Sequence, residues 1–381
     1  MKWVALALCL FLSACGSPAS KGRLVIAGGA VKADNELIYG EFMRGLKPDA
    51  VIGIVPTASA SAVESAASSA RTLERYAAGR RIIQLDLPSD KPANAFDPAI
   101  VAQIDQCSAL WFTGGVQSRI LRVLRPASGD SPAYGAMKRL LARGGTIGGT
   151  SAGAAMMSDP MITGGTSEDA LLGNFRVEDE DSGLGLARGM GFFPYGLTDQ
   201  HFLRRGRIGR LIVALEQTGV PRGYGVEENS AIVADLASGN AWVCGSAVLV
   251  DMAEFARENK ALANVRVSLL QTGDQIVVPS GRVELRTESV PVPDGVMRGT
   301  ALPEAWAAGA LEAGLAALAA APARPVQLRS KGFFVRLEAD QRTRFANAPA
   351  GLRVREAKLS ILLRENGSSE PVRSELGLSR D

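Results

Sequence analysis

The stretch GGTSAGAAMMS, residues 148–158, places a serine between two glycines and directly before a run of helix-forming residues. Just upstream, GGTI at 144–147 indicates a turn that leads into a short strand, and downstream the alanines and methionines favour a helix. Ser151 is therefore predicted to lie at a strand-to-helix turn. Such a turn serves either to bind a phosphate or to present the serine as a nucleophile.

Phosphate binding is the weaker interpretation of this turn. A phosphate loop carries Gly-Lys-Ser/Thr or G-x-G-x-x-G, but no lysine follows Gly153, and GGA at 28–30 lacks the later glycine. Gly149-x-Ser151-x-Gly153 instead has small residues on both sides of a serine on a sharp turn, where larger side chains would clash. A glycine-rich turn whose serine only caps the following helix is the alternative.

The segments before Ser151 alternate between apolar runs and helical patterns. RLVIAGG, AVIGIVPTAS and SALWFTGG are short and continuously apolar, which is typical of strands buried on both faces. Helical patterns between such strands indicate βαβ units. We therefore predict an α/β fold: a parallel sheet flanked by helices on both faces, with Ser151 on a strand–turn–helix elbow.

The composition of the chain changes after this α/β region, which we assign to residues 23–278. VPSGRVELRTESVPVPDG, near residues 280–300, is rich in Pro, Gly and Val. An Ala-rich helix over about 304–320 and the half-buried strand patterns GFFVRLEA and LRVREAKLSILLRE follow. We predict a small C-terminal α+β addition over 279–381, which ends in a disordered polar tail.

The N terminus has the features of a secretory signal. MKWVALALCLFLSACGS has one lysine, an apolar run too short to span a membrane, and then small residues. Leu12-Ser13-Ala14-Cys15 resembles the lipobox of bacterial lipoproteins, whose cysteine is lipidated and becomes the first mature residue. Residues 1–15 would then be the signal and 16–22 a flexible tether. This predicts export across the inner membrane and a lipid anchor at Cys15, in the cell envelope or outside the cell; a plain cleaved signal is the alternative.

Composition argues against several kinds of site. With one histidine in 381 residues and no Cys/His cluster, a protein-built zinc site is not expected, while carboxylate-only metal sites stay open. The net charge of +3 and the mixed charges along the chain do not indicate a nucleic-acid surface. Cys107 and Cys244 lie beside apolar segments and are predicted to be buried thiols rather than a disulfide. No cofactor is predicted.

The single histidine, His201, favours the nucleophile interpretation of the turn. A serine hydroxyl needs a neighbouring base to attack a carbonyl, and the segment TDQHFLRRGRIGR could direct His201 towards Ser151. In α/β-hydrolases the acid precedes the histidine, but here nearly half of the chain follows it. Glu227 and Glu228 in YGVEENSA, at the end of a predicted strand, are the candidate acids. Two solvated carboxylates at a turn are the alternative.

Four motifs together resemble those of one family. WFTGGVQ, GGTSAGAAMMS, GLGL…DQHFLRRGRIGRL and YGVEENSA are similar, in this order, to the motifs of cyanophycinases, which are serine peptidases related to the aspartyl dipeptidases. The resemblance covers about residues 23–275 and leaves out the C-terminal remainder. The family includes extracellular members with signal peptides, in agreement with the N terminus.

The resemblance implies catalytic roles. It makes Ser151 the nucleophile, His201 the base and later the acid, and Glu228 the residue that orients the imidazole, with the preceding glutamate as the fallback. The backbone amides of Gly115 and Ala152 would hold the oxyanion.

The resemblance also implies which side chains line the substrate site. Arg207 and Arg210 are three positions apart, so a helix would present them on one face, where guanidinium groups suit the carboxylates of an aspartate-rich substrate. A solvated basic helix is the alternative. Val116 departs from the acidic or amide residue that the family commonly has there, and this departure bears on substrate preference. The implied substrate-binding residues are Gln117, Asp199, Gln200, Arg205, Arg207 and Arg210.

The expected function is that of a secreted serine exopeptidase that cuts cyanophycin, a poly-aspartate backbone bearing arginines, into β-Asp-Arg dipeptides. The reaction would proceed through an acyl-enzyme at Ser151. A peptidase for short Asp-containing peptides and a lipoprotein that binds a peptide without cutting it are the alternatives. Members of the family are often dimers, so a homodimer is a further expectation.

Overall fold

The computed structural model describes residues 22–176, 183–259, 261–286, 302–348 and 351–363. The predicted signal peptide, most of the tether and the polar tail lie outside the described residues. Helices and strands alternate through the first half of the described chain, and strands dominate the second half. Within the described ranges, no helix is both long enough and apolar enough to cross a bilayer.

The strands form two sheets of nine strands and one of three. In chain order the strands are β1 Arg23–Ala27, β2 Val51–Val55, β3 Arg81–Gln84, β4 Ala109–Phe112, β5 Thr146–Thr150, β6 Met161–Gly164, β7 Phe175–Arg176, β8 Leu184–Ala187, β9 Leu197–Gln200, β10 Arg222–Val226, β11 Ala231–Asp235, β12 Asn240–Cys244, β13 Ser246–Asp251, β14 Ala256–Glu258, β15 Ala261–Gln271, β16 Gln275–Val277, β17 Arg282–Glu284, β18 Val326–Arg329, β19 Phe333–Glu338, β20 Arg344–Ala348 and β21 Gly351–Leu363.

The helices, in chain order, are α1 Glu36–Met43, α2 Ala62–Ala77, α3 Pro98–Gln106, α4 Gln117–Leu124, α5 Pro132–Ala142, α6 Ala152–Ala155, α7 Ser167–Leu171, α8 Ile208–Thr218 and α9 Ala310–Ala320. The helices α1 to α5 connect the parallel strands of the first sheet, and α8 and α9, of 11 residues each, lie in the second half of the chain. The α9 helix begins later than the predicted position near 304, because Gly309 adopts φ 74° and forms its N-terminal boundary. A turn occupies residues 202–207, and α8 starts at Ile208.

The first sheet has the strand order β17-β16-β12-β11-β1-β5-β4-β2-β3. Its neighbours β1, β5, β4, β2 and β3 are all parallel, and β2 and β4 are buried along their whole length. This half confirms the α/β class that the continuous apolar runs predict. The other four strands pair antiparallel, starting with β11 against β1.

The second sheet, β18-β19-β21-β15-β13-β10-β9, was not anticipated from the sequence. Only β9 and β10 are parallel, and the remaining neighbours on this path are antiparallel. Tyr224 and Leu249 on one face share a core with Ile26 and Ile232 of the first sheet, whereas Val248 on the other face packs in the core of α8 and α9. Both faces of the second sheet are therefore buried. Strands buried on both faces lack the alternation of apolar and polar residues that marks a sheet with one solvent-exposed face.

Residues 302–363 extend this second sheet. β21 pairs with β15, with Leu359 opposite Val265, and α9 packs in the same core as α8. A buried ion pair, 2.8 Å between Arg353 Nε and Asp274 Oδ1, joins β21 to the turn after β15. The segment has the α+β content that the sequence predicts. The domain boundary at residue 278 stays a prediction.

The two described cysteines fit the sequence interpretation. Cys107 and Cys244 are both buried and free. Burial raises the pKa of each thiol to about 12, so neither is a reactive thiolate at neutral pH.

Candidate active site

Ser151 lies on a sharp turn at the carboxyl end of β5. Its backbone has φ 54° and ψ −110°, a strained conformation for a residue with a side chain. A Cβ atom on Gly149 would lie 2.5 Å from the carbonyl oxygen of Gly153, and one on Gly153 would lie 2.8 Å from Cβ of Phe112. Both glycines are thus required by close packing, and the predicted strand–turn–helix elbow is confirmed.

His201 directly follows β9 and also has a positive φ, of 47°. Its backbone N–H donates to the carbonyl oxygen of Gly28 at 2.7 Å, which ties the end of β9 to the end of β1. The imidazole lies against Gly29, where a Cβ atom would come within 2.3 Å of Nε2. In the sequence, Gly28 and Gly29 offer only a partial phosphate motif; their contact with His201 arises from the fold.

Ser151, His201 and Glu228 form a continuous chain of hydrogen bonds. Ser151 Oγ lies 3.0 Å from His201 Nε2, and His201 Nδ1 lies 2.7 Å from Glu228 Oε1. Because β9 and β10 are parallel neighbours, the histidine after one and the glutamate after the other reach the same edge of the second sheet. The first sheet supplies the serine, so the constellation bridges the two sheets.

Glu227 has a different partner. Its Oε2 accepts hydrogen bonds from the backbone N–H groups of Leu203 at 2.6 Å and of Arg204 at 2.9 Å. It therefore fixes the turn that follows His201 rather than the imidazole. Of the two candidate acids, the structure places Glu228 on His201 Nδ1.

The surroundings of His201 favour a neutral imidazole. Burial lowers the pKa of His201 below its usual 6.5; the hydrogen bond to Glu228 raises it in part, and the charges of Arg205 and Arg207 lower it further. With Nδ1–H directed to the glutamate, the neutral ring presents the lone pair of Nε2 to the serine hydroxyl. This is the protonation state that a general base needs.

The proposed oxyanion donors lie on either side of Ser151. Gly115 lines the cavity in front of the serine and has φ 142°; a Cβ atom there would lie 2.1 Å from the carbonyl oxygen of Ala58. Ala152 is buried and begins α6. Among the described residues, neither backbone N–H has an acceptor. Both donors are thus free to bind an oxyanion.

A cavity of about 490 Å³ opens in front of Ser151. A cavity of similar size, about 500 Å³, lies near Pro56 and Asp86 but contains neither Ser151 nor His201. No carboxylate of the described chain lines the cavity at Ser151, so its charge is positive. Its lining comprises Gly115, Val116, Gln117, Ser151, Thr163, Gly164, Gly165, Thr166, Gln200, Arg205, Arg207 and Arg210.

Arg210 and Asp199 form a buried ion pair at the back of the cavity. The distance between Nε and Oδ2 is 2.8 Å, and Nη1 of the arginine also donates to the carbonyl oxygen of Gly165 at 2.6 Å. Burial alone would raise the pKa of Asp199, but the charge and hydrogen bonds of Arg210 hold it below its usual value. The Asp199 carboxylate already occupies the guanidinium group of Arg210. The family resemblance instead implies that this guanidinium binds substrate.

Arg207 is less completely paired than Arg210. Its Nη1 donates to the backbone oxygen of Gln200 and lies 3.6 Å from Asp199 Oδ1. Burial, with the neighbouring Arg210 charge, lowers its pKa to about 9, so the cation persists at neutral pH and is stabilised by any further anion. Arg205 is exposed at the mouth of the same cavity.

The two predicted glutamine ligands differ in their hydrogen bonding. Gln117 Nε2 donates to the backbone oxygens of Ile162 at 2.8 Å and Thr163 at 3.0 Å. Gln200 Oε1 is buried and has no partner within the described ranges. The structure therefore brings both glutamines and all three arginines to the cavity and places Asp199 behind them; their contacts with substrate stay predictions.

The described residues include no group of three or more His, Cys, Asp or Glu side chains that could hold a metal ion. The groups at or next to the cavity include the hydroxyl of Ser151, the imidazole of His201, the carboxylate of Glu228 and backbone amides. An α/β fold that carries this set is typical of a hydrolase.

Comparisons with known proteins extend this assignment. No family model matches the chain. It is 29% identical over 274 residues to a cyanophycinase of Nostoc sp., covering 68% of this chain and 86% of the relative. It is 30% identical over 268 residues to a cyanophycinase of Synechococcus elongatus, covering 67% and 78%. A solved peptidase from an acI-B1 Actinobacterium superposes with a TM-score of 0.48 and 17% identity, over 68% of this chain and 98% of the other.

Fold, site and relatives together define the class of protein as a peptidase. Within that class, the chain belongs to the cyanophycinase family.

Proposed function

We propose that this protein is a serine exopeptidase that hydrolyses cyanophycin to β-Asp-Arg dipeptides. The observation that carries the proposal is the Ser151–His201–Glu228 hydrogen-bond chain, which opens into a cavity lined with arginines. The curated relatives at 29% and 30% identity are cyanophycinases, which supports the same substrate class.

The proposed reaction has two halves. Ser151 Oγ attacks the carbonyl carbon of the scissile bond while His201 Nε2 takes the hydroxyl proton, and Glu228 holds the imidazolium through Nδ1–H. The imidazolium then gives the proton to the leaving amine as the C–N bond breaks. Water, deprotonated by the same imidazole, releases the acyl group from the serine.

The oxyanion formed in each half would be held by the backbone amides of Gly115 and Ala152. Each fixed donor of this kind contributes roughly 10²–10³ in rate. Both amides lack other acceptors in the described chain, so neither would have to break a hydrogen bond to bind the oxyanion.

Charge in the cavity supports a substrate that carries carboxylates. Asp199 compensates Arg210, whereas Arg205 and Arg207 leave an excess of positive charge around the cavity. A free carboxylate next to the scissile bond, as in a chain end of an aspartate polymer, would pair with these guanidinium groups. An ordinary α-linked peptide would place its carbonyl differently relative to such a carboxylate, so we expect it to be a poor substrate.

The experiment that tests this proposal is incubation of the mature protein with cyanophycin, followed by identification of the soluble products by mass. We expect β-Asp-Arg as the main product and no product with Ser151→Ala. Casein is the comparison substrate. Efficient cleavage of casein, or wild-type protein that leaves cyanophycin intact, would overturn the proposal.

A second candidate function is the hydrolysis of short Asp-containing peptides. Val116, which is 38% exposed, lines the cavity, and no described carboxylate there would bind an arginine side chain of the polymer. Activity on short β-aspartyl peptides combined with inactivity on the insoluble polymer would favour this candidate. Binding without any cleavage would indicate the third alternative, a peptide-binding lipoprotein.

The location of the enzyme is also part of the proposal. We infer that the protein is exported and lipidated at Cys15, on the basis of the apolar segment and the lipobox-like Leu12-Ser13-Ala14-Cys15. These residues lie outside the described part of the chain.

A further inference from the structure

The turn at residues 202–207 connects the candidate base to the arginines of the cavity. It directly follows His201 and carries Arg205 and Arg207. Glu227 accepts hydrogen bonds from the backbone N–H groups of its second and third residues, and Ser167 Oγ donates to the carbonyl oxygen of Gly206 at 2.6 Å. These contacts come from two sides of the turn.

The C-terminal segment covers another side of this turn. Gly206 has φ 54°, and a Cβ atom there would lie 2.1 Å from the backbone oxygen of Trp306. The N–H of Gly309 lies 3.4 Å from the carbonyl oxygen of Leu203. Leu311 faces the same small space, about 10 Å³, as Leu203. The turn and the segment thus approach each other through their backbones, and Leu203 and Leu311 line one space between them.

The contacting segment is itself fixed to the second sheet. Ala305 N–H donates to the carbonyl oxygen of Arg329 in β18 at 2.8 Å. The ring of Trp306 packs edge-on against that of Phe333 in β19, with 6.1 Å between centroids. Because this segment is hydrogen-bonded to and packed against the second sheet, it can restrain the turn at residues 202–207.

We propose that residues 304–311, the C-terminal brace, position the turn and thereby hold His201, Arg205 and Arg207 in register with Ser151. Leu311 is a positioning residue in this inference, since it acts through Leu203 and does not line the cavity at Ser151. The inference rests on the proposed function of the Ser151–His201 pair. A displacement of about 1 Å in such a site costs roughly 10²-fold in rate.

The test compares two leucines of α9. Leu311→Ala enlarges the space that Leu311 lines together with the turn, and Leu318→Ala removes a buried leucine of the same helix that lies roughly 10 Å further along its axis. The probe is phenylmethylsulfonyl fluoride, and the readout is the rate of Ser151 modification as a function of pH. Thermal unfolding of each variant is measured in parallel.

We expect Leu311→Ala to slow modification of Ser151 by about 10- to 100-fold. The pH midpoint should also rise, because Arg205 and Arg207 move away from His201 and lower its pKa less. Leu318→Ala should lose a comparable amount of stability but keep the wild-type rate and midpoint. Leu311→Met should restore most of the rate, since it conserves volume.

A second pair keeps the test decisive if Leu311→Ala does not fold. Gly206→Ala places a Cβ atom against Trp306, whereas Gly219→Ala, at φ 66° on the other end of α8, meets nothing within 4 Å. Both substitutions put alanine at a positive φ, which destabilises each variant for the same reason. The two variants differ in that only the new Cβ atom at residue 206 meets the C-terminal brace. We expect Gly206→Ala to slow modification and Gly219→Ala to leave it unchanged.

The outcomes separate this inference from the proposed function. Wild-type protein whose Ser151 is never modified would overturn the proposed nucleophile and with it the basis of the brace. Wild-type modification that Leu311→Ala or Gly206→Ala leaves unchanged in rate and midpoint would overturn the brace alone. Equal losses in Leu318→Ala or Gly219→Ala would also overturn it, because general destabilisation would then explain the effect.

Discussion

Ser151 and His201 both adopt positive φ angles, 54° and 47°, which side chains other than glycine rarely adopt. Strain of this kind persists only where surrounding contacts fix it, and it clusters at functional sites. Here the contacts are the glycines around Ser151 and the hydrogen bond from His201 N–H to Gly28. The strained backbone directs the two reacting atoms to a separation of 3.0 Å.

Ser151 and His201 are expected to act as a unit. Ser151→Ala and His201→Ala should each reduce kcat by roughly 10⁴–10⁶, and the double variant should be little worse. The cause is that neither side chain contributes to nucleophilic attack without the other. Steady-state kinetics on cyanophycin checks this, and simple additivity of the two losses would contradict a shared mechanism.

Gly29 is expected to be essential because of the space that it leaves for the imidazole. Gly29→Ala places a Cβ atom 2.3 Å from His201 Nε2 and should abolish activity by displacing the ring. Gly45→Ala, also at a positive φ but with nothing within 4 Å, is the matched control. Cyanophycin hydrolysis measured in both variants decides the point: an active Gly29→Ala enzyme would mean that the ring position is not critical.

The pH dependence should report the lowered pKa of His201. The base must be neutral, so kcat/KM should rise with pH through a midpoint below 6.5. Arg205→Ala removes a positive charge near the ring, so its midpoint should move to higher pH. Because Arg205 is exposed, added salt should shrink that difference. A pH profile of Arg205→Ala that coincides with wild type at low salt would count against this electrostatic effect.

At the level of secondary structure, the ends of β9 and β10 and the start of α8 carry most of the site. β9 and β10 are parallel, so their carboxyl ends bring His201 and Glu228 together, and the Asp199–Arg210 pair ties β9 to α8. The sequence predicted Arg207 and Arg210 on one face of a helix with the same role. Their hydrogen bonds instead divide them, because Asp199 occupies one guanidinium and leaves the other partly free.

The two arginines should therefore respond differently to substitution. Arg207→Ala should lower kcat/KM and leave the protein folded. The decrease should correspond to about 1.5–3 kcal/mol of activation free energy, the value of a charge-assisted hydrogen bond to substrate. Arg210→Ala removes the close partner of the buried Asp199 and leaves only Arg207, at 3.6 Å, which should cost about 3–5 kcal/mol in the free energy of unfolding. Kinetics and urea unfolding of both variants test this. Identical behaviour of the two would contradict the division of roles.

The sequence predicted the features of the site that depend on local signals. The elbow at Ser151 depends on neighbouring glycines, and His201 is the only histidine in the chain. The role of Gly29 could not be predicted, because it arises from contact with a residue far along the chain. The residues alone left Glu227 and Glu228 as equal candidates, since adjacent glutamates have no distinguishing local pattern; the family resemblance favoured Glu228, which is the one that lies on His201 Nδ1.

For the whole molecule, the two-sheet arrangement is what sequence patterns could not reveal. Parallel strands buried on both faces predicted the first sheet, but the strands from β9 onward divide between the two large sheets, and no sequence pattern shows which strand joins which sheet. Pairing partners such as β15 and β21 lie far apart in the chain. As a result, the serine from one sheet and the imidazole from the other meet only in the folded molecule.

The proposed location gives a prediction for the intact protein in cells. Cys15→Ser should shift the protein from the membrane fraction to the soluble fraction, because lipid chains would supply the apolar burial that retains it. Fractionation followed by immunoblotting measures this, with Cys107→Ser as a control at a buried internal thiol. Wild-type protein found entirely in the soluble fraction would contradict lipidation.

The most direct test of the central claim is to measure cyanophycin hydrolysis against the fraction of Ser151 modified by phenylmethylsulfonyl fluoride. Mass spectrometry of the peptide that contains Ser151 gives the modified fraction, and release of β-Asp-Arg gives the activity. Since Ser151 Oγ is the proposed nucleophile beside His201 Nε2, activity should fall in proportion to modification and reach zero when every Ser151 is modified. Full hydrolytic activity in protein whose Ser151 is completely modified would contradict the account.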